Sequence, residues 1–313
     1  MKLIRRLAVS AFTATATLLA ACGGGPADVP SFTLPGDRFY PESLTITSDG
    51  TLFVGSLGTG QVVKIAPGAT TPTAFVASGG EVKNVSGVYA DDATSTLFLC
   101  AVDIANLGTP PSLRAYDLKS GAAKGNYVFP SPAFCNDMTV DAKGNLYVAD
   151  SFGKIYRLAK GASSLTVWST EPLLAASSEN GFGADGIAFD GQSNLYVNTY
   201  SDGRLLRFPI NADGSAGTAK QLTVSQPLGL PDGMRMLDAN TLVTVEGTGK
   251  LTRLALSGDS ATATVLASDL DSPTSVVKYG NNYYVTEGQL GHLFGFESGP
   301  PTTPFSVKRV AVK

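Results

Sequence analysis

Short apolar runs recur along most of this chain at a steady rhythm, each closed by Gly, Asn, Asp or Pro, with the alternation expected of strands. One scheme repeats. A strand starts at a polar residue, turns into a second strand built on an aromatic-Val pair, passes a Gly, and enters a third strand ending on a basic and an apolar residue. In order the copies read "PESLTITSDGTLFVGSLGTGQVVKI", "SGVYADDATSTLFLCAVDIANLGTPPSLRAY", "NDMTVDAKGNLYVADSFGKIYRL", "ADGIAFDGQSNLYVNTYSDGRLLRF", "PDGMRMLDANTLVTVEGTGKLTRL" and "PTSVVKYGNNYYVTEGQLGHLFGF". A further short strand follows each, such as "PTAFVAS" or "LTVWST", and the third strands open at Gly60, Pro111, Gly153, Gly203, Gly249 and Gly291, a period of 42 to 51 residues. A four-stranded sheet of that size has two apolar faces and buries both only by stacking between neighbours around a ring. The pattern therefore predicts an all-β chain, a six-bladed β-propeller with four-stranded antiparallel blades, as one domain over residues 31–313. Two separate sandwiches would leave the even spacing unexplained. For ring closure two options stay open: the last blade takes "FSVKRVAV" as its own outer strand, or "SFTLPG" adds one from the other end.

Composition agrees with that picture: 35 Gly and 18 Pro supply turns, and 43% hydrophobic content supplies a core. With 23 Lys plus Arg against 26 Asp plus Glu and no basic block, nucleic acid is excluded as a partner, and a monomer is expected. The N-terminus changes the picture more. Lys2, Arg5 and Arg6 precede the apolar run "LAVSAFTATATLLAAC", too short to span a membrane, so residues 1–21 read as a lipoprotein signal peptide. Leu19-Ala20-Ala21-Cys22 resembles a bacterial lipobox, which makes Cys22 the lipidation site and residues 22–30 a flexible tether. An ordinary signal peptide with a chance cysteine is the other reading. The expected product is exported and lipid-anchored to a bacterial membrane facing the periplasm; the absence of Asp after Cys22 favours the outer membrane.

Aligning the copies on their first strands brings one position into register six times: Glu42, Ser86, Asn136, Asp185, Asp232 and Thr274. First strands of propeller blades line the central channel, so these side chains converge on one axis, and four of them carry oxygen ligands. Carboxylates held together repel one another and lose hydration, a cost that a divalent cation removes. An all-oxygen set of Glu42, Asn136, Asp185 and Asp232 suits Ca2+, with Mg2+ or Mn2+ as alternatives, over softer metals. The bland alternative is that they hydrogen-bond strand-start amides.

At these motifs the chain resembles the senescence marker protein, gluconolactonase and luciferin-regenerating-enzyme family. The matching pieces are "PES" with Glu42, "CND" with Asn136 and "LPDGM" with Asp232, while Ser86 and Thr274 fall in blades that carry no ligand in that family. The resemblance implies a six-bladed propeller with a calcium-type ion in its channel, hydrolysing a small-molecule lactone or related ester, with Asp232 as base or nucleophile. Two features depart from it: Asp185 stands where the family usually has Asn, adding negative charge, and blade three reads "LYVADSFG" in place of a Gly-Thr ending. No residue here corresponds to the substrate-binding arginine of the gluconolactonase subset. The alternative function is a non-catalytic lipid-anchored propeller, a binding or scaffold protein with a structural ion.

Second strands end on the same face as first strands begin. Asp150, Asn198, Glu246 and Glu287, with Asp103 nearby, are therefore expected in the pocket wall or just behind the ligands. Cys100 and Cys135 fall close to that face and are either a disulfide or two buried thiols. His292, the single histidine, aligns with exposed polar positions and is expected on the surface, which argues against a histidine base. Trp168 is expected to pack in an outer strand. The small, apolar covering loops favour an uncharged or partly hydrophobic ligand.

Overall fold

A computed structural model describes residues 31–311 apart from Ser131; the expected leader, Cys22 and the tether lie outside the described residues. Six antiparallel sheets form the chain, with inner strands Pro41–Ile46, Asn84–Asp91, Cys135–Val140, Ala184–Phe189, Pro231–Asp238 and Pro273–Tyr279. Each inner strand touches the next, and the sixth touches the first, so the ring is closed. The six-bladed propeller expected from the repeats is the fold.

The second strands show why stacking is obligatory. In Leu52–Ser56 and Leu146–Asp150 every residue is buried, so both faces of the sheet need a partner. One apolar cluster fills each junction between blades. Tyr147, Ile155, Leu174, Ile187, Val197 and Phe208, for example, join blades three and four. Trp168 packs there as expected, edge-on to Tyr147 at 5.0 Å, and its indole N–H donates to the Gly214 carbonyl at 2.8 Å.

Ring closure uses both ends of the chain. Phe32–Thr33 pairs with Ser306–Ala311, so "SFTLPG" supplies the outer strand of blade six and the C-terminal segment is its third strand. The expected third strand at Gly291 is instead a short helix, Leu290–Phe294. Its cause is readable afterwards: Leu290, Leu293 and Phe294 have helical spacing, and Leu290 and Leu293 pack on the apolar clusters below. Blade five also departs from four strands, because Thr223–Val224 crosses from blade four and pairs in parallel with Ser260–Ala267.

Each inner strand carries a β-bulge at the same place. Pairing jumps from Pro41 to Ser43, Val85 to Gly87, Cys135 to Met138, Ala184 to Ile187, Pro231 to Met234 and Pro273 to Ser275, one extra residue each time. The six residues in register lie within these six bulges. A bulge breaks the two-residue alternation and re-aims a side chain, which turns each of them towards the axis. Side chains then stitch neighbouring bulges together: Ser86 Oγ donates to the Cys135 carbonyl at 2.5 Å, Ser151 Oγ to Ala184 at 2.9 Å, Asn198 Nδ2 to Asp232 at 2.7 Å and Thr274 Oγ1 to Pro41 at 2.8 Å.

Glycine follows the bulge where blades approach most closely. A Cβ on Gly87 would stand 1.9 Å from the Asn136 carbonyl oxygen, and one on Gly186 would stand 2.6 Å from that of Asp232. Backbone cannot yield as a side-chain tip can, so Gly186→Ala is expected to destabilise the fold by about 1–3 kcal/mol. Chemical denaturation would show this as a lower midpoint.

Cys100 and Cys135 are joined by a disulfide, Cα to Cα 5.5 Å, linking blade two to the strand that carries Asn136.

Candidate active site at the channel mouth

The bulges deliver Glu42, Asn136, Asp185 and Asp232 to one cavity of about 290 Å3 at the mouth of the channel. All four expected ligands are brought together there, and all are at least nine-tenths buried. Asn136 Nδ2 donates to Asp185 Oδ2 at 2.9 Å and to Ser151 Oγ at 3.1 Å, while the Gly233 amide donates to Asp232 Oδ1 at 2.8 Å. Asp185 and Asp232 also hydrogen-bond each other. Asp185 Oδ1 is buried without a hydrogen-bond partner.

Electrostatics follow from that crowding. Burial, reinforced by the Asp137 charge, pushes the Asp185 carboxyl up to about 8. Burial, then the Asp185 charge, raises Glu42 and Asp232 well above the carboxylate range. Crowding and burial thus favour the protonated form of each carboxyl group. Among the described residues no group of three or more His, Cys, Asp or Glu side chains is arranged to hold a metal ion.

Below the ligands lies a pair that sequence reasoning missed. Arg235 reaches from blade five to Asp137 on blade three, and its Nη1 also donates to the Met234 carbonyl at 2.8 Å. Asp137 is 5% exposed and Arg235 15%. The pair ties blades three and five together, and the guanidinium charge opposes the rise of the Glu42 carboxyl. Its only signal was an Arg between two Met residues, "GMRM", on an inner strand whose first half is buried. Tyr200, also missed, lines the cavity; burial and then the Asp232 charge push its hydroxyl up, so it stays protonated.

The five second-strand residues do not line the cavity. Four of them brace what does. Asp150 Oδ1 accepts the amides of Phe134 and Phe152 at 2.8 and 2.9 Å, and burial raises its carboxyl to about 6. Asn198 takes the Gly186 amide at 2.8 Å on Oδ1, so together with its bond to the Asp232 carbonyl it ties the backbones of two ligands. Glu246 accepts the Gly229 amide at 2.6 Å, and Glu287 the Asp271 amide at 3.0 Å, fixing the loops that lead into Asp232 and Thr274. Asp103 is a correction: it sits in a surface loop and accepts only the nearby Ala105 amide at 3.1 Å. A polar side chain at that turn serves its own loop.

The segment between Glu287 and Ser306 crosses the mouth as a lid. Leu290, Gly291, Phe294, Phe296 and Glu297 line the cavity from above. His292 is not fully exposed as expected: its side chain is 15% exposed and its Nε2 lies 3.2 Å from Glu297, which the short helix brings alongside it.

No protein-family model matches the chain, and no curated protein does. Solved structures do. A luciferin-regenerating enzyme superposes with a TM-score of 0.63 at 15% identity, covering 90% of this chain and 94% of its own. A gluconolactonase from Xanthomonas campestris gives 0.61 at 18% identity, covering 85% and 89%. Regucalcin, a calcium-binding protein from Agrobacterium tumefaciens, gives 0.59 at 17% identity, covering 91% and 94%. The chain is therefore a six-bladed β-propeller similar in fold, over nearly its whole described length, to gluconolactonase, luciferin-regenerating enzyme and regucalcin.

Proposed function

We propose that the chain is a metal-dependent hydrolase of lactones or related esters. The observation that carries this reading is the convergence of three buried carboxyl groups from three blades on one cavity, with Asp185 Oδ1 left unpartnered. That donor set fits a hard divalent cation, and calcium is the choice that an all-oxygen site favours. Glu42, Asn136, Asp185 and Asp232 would hold it, the carboxyl groups giving up their protons to do so. When bound, the ion supplies Lewis acidity to a substrate carbonyl.

The remaining steps belong to the chain. Asp232, with one oxygen fixed by the Gly233 amide, takes the proton of the attacking water on the other, or attacks directly. The protonated Tyr200 hydroxyl lines the same cavity and would donate to developing negative charge. Asn198 keeps the backbones of Asp185 and Asp232 in fixed relation, a requirement for near-attack geometry. The Arg235–Asp137 pair ties the strands carrying Asp232 and Asn136 together. The leader-like N-terminus extends the proposal to an exported protein anchored through Cys22, and a disulfide suits that compartment.

Purified protein in calcium is expected to open simple lactones at least tenfold faster than the same protein in chelator. Equal rates in the two would remove the hydrolase reading. No hydrolysis together with calcium-dependent stabilisation would favour the binding protein instead.

A further inference from the structure

Walls and floor of the cavity differ in kind. The floor holds the axial ligands, whereas the walls are Leu57, Phe134, Phe182, Leu230, Phe294 and Phe296. Phe134 stands edge-on to Phe182 at 5.3 Å and 6.4 Å from Phe152, forming an aromatic ridge along one side; Phe294 and Phe296, 6.0 Å apart, face the cavity from the lid. Phe296 is 80% exposed and Leu230 39%, so the rim presents apolar surface to whatever enters.

Polar groups above the floor are few: the Tyr200 hydroxyl, Ser272 and Glu297, the last paired with His292. Among the described residues no Lys or Arg lines the cavity, and Arg235 is paired with Asp137. A polyhydroxylated ring carries more hydroxyls than these groups can receive, and each one left without a partner costs roughly tenfold in affinity. An anionic substituent would meet the floor carboxyl groups with no cation in the walls to receive it. At about 290 Å3 the cavity lies at the small end of ligand pockets, suited to a body of one or two rings.

We infer that the site selects an uncharged substrate with a compact apolar body, aromatic or branched aliphatic, and one ester or lactone carbonyl as its polar head. Sugar lactones and phosphorylated esters are rejected by the walls. The inference rests on the hydrolase reading for the reaction, but the selection itself is a property of binding.

Non-hydrolysable lactams separate the two. Binding of a benzo-fused six-membered lactam and of gluconolactam to the full-length protein in calcium would be measured by calorimetry. The benzolactam is expected to bind at least tenfold tighter. Phe296→Ser, at an exposed position that folding does not need, is expected to weaken it about fivefold or more without changing the melting temperature, and Phe182→Ser to weaken it as much with a lower melting temperature, because it also loses its edge-on contact with Phe134. Gluconolactam binding as tightly, no benzolactam binding, or an unchanged affinity in both variants would overturn the inference. Tight benzolactam binding by a protein that opens no lactone would uphold it while removing the hydrolase reading.

Discussion

Asp232→Asn is expected to lower lactone hydrolysis by about 10²–10⁴-fold, the range lost with a positioned proton acceptor. An amide has the same shape, and its oxygen can still accept the Gly233 amide, so the bulge should survive. Stability without metal should hold or rise, because one of three crowded, buried carboxyl groups is gone. Loss of activity with an unchanged or higher melting temperature separates a catalytic role from a structural one. Wild-type turnover in this variant would remove Asp232 from the mechanism.

Calcium is expected to raise the melting temperature strongly at pH 8 and little at pH 5. The native carboxyl groups keep protons that the unfolded chain has released above its ordinary pKa near 4, and Asp185 keeps its own up to about 8. A raised native pKa means that the native state binds more protons across that window. Stability of the metal-free protein is therefore greatest at the acid end and falls as pH rises through about 4 to 8. A cation that replaces the protons binds more tightly as they leave, and at a hundredfold excess over Kd contributes about 2.7 kcal/mol. Differential scanning calorimetry with calcium and with chelator at both pH values checks this. A calcium shift of equal size at pH 5 and pH 8 would contradict proton displacement at this cluster.

The ring and the ligand register were legible because both are written locally. Each blade must mark its inner strand with a polar residue at the bulge and its second strand with residues buried on both faces, as in "NDMTV" with "LYVAD". The need for Gly186, set by contact with the Asp232 carbonyl of the next blade, belongs to the assembled ring. What escaped was non-local. Arg235 looks like any polar strand residue until blades three and five face each other across the channel and give it Asp137. The lid was misread because a Gly followed by aromatics fitted the strand template, while the competing helical spacing of Leu290, Leu293 and Phe294 spans barely more than one turn. The second-strand carboxylates were placed on the right face, but their partners are backbone amides of lead-in loops, which no residue pattern announces.

Calcium-soaked crystals test the central claim most directly, through an anomalous-difference map of the channel. The expected result is a single peak at the mouth, ligated by oxygens of Glu42, Asn136, Asp185 and Asp232, with the bond between Asp185 and Asp232 broken. No peak there at saturating calcium, with that bond intact, would contradict the account.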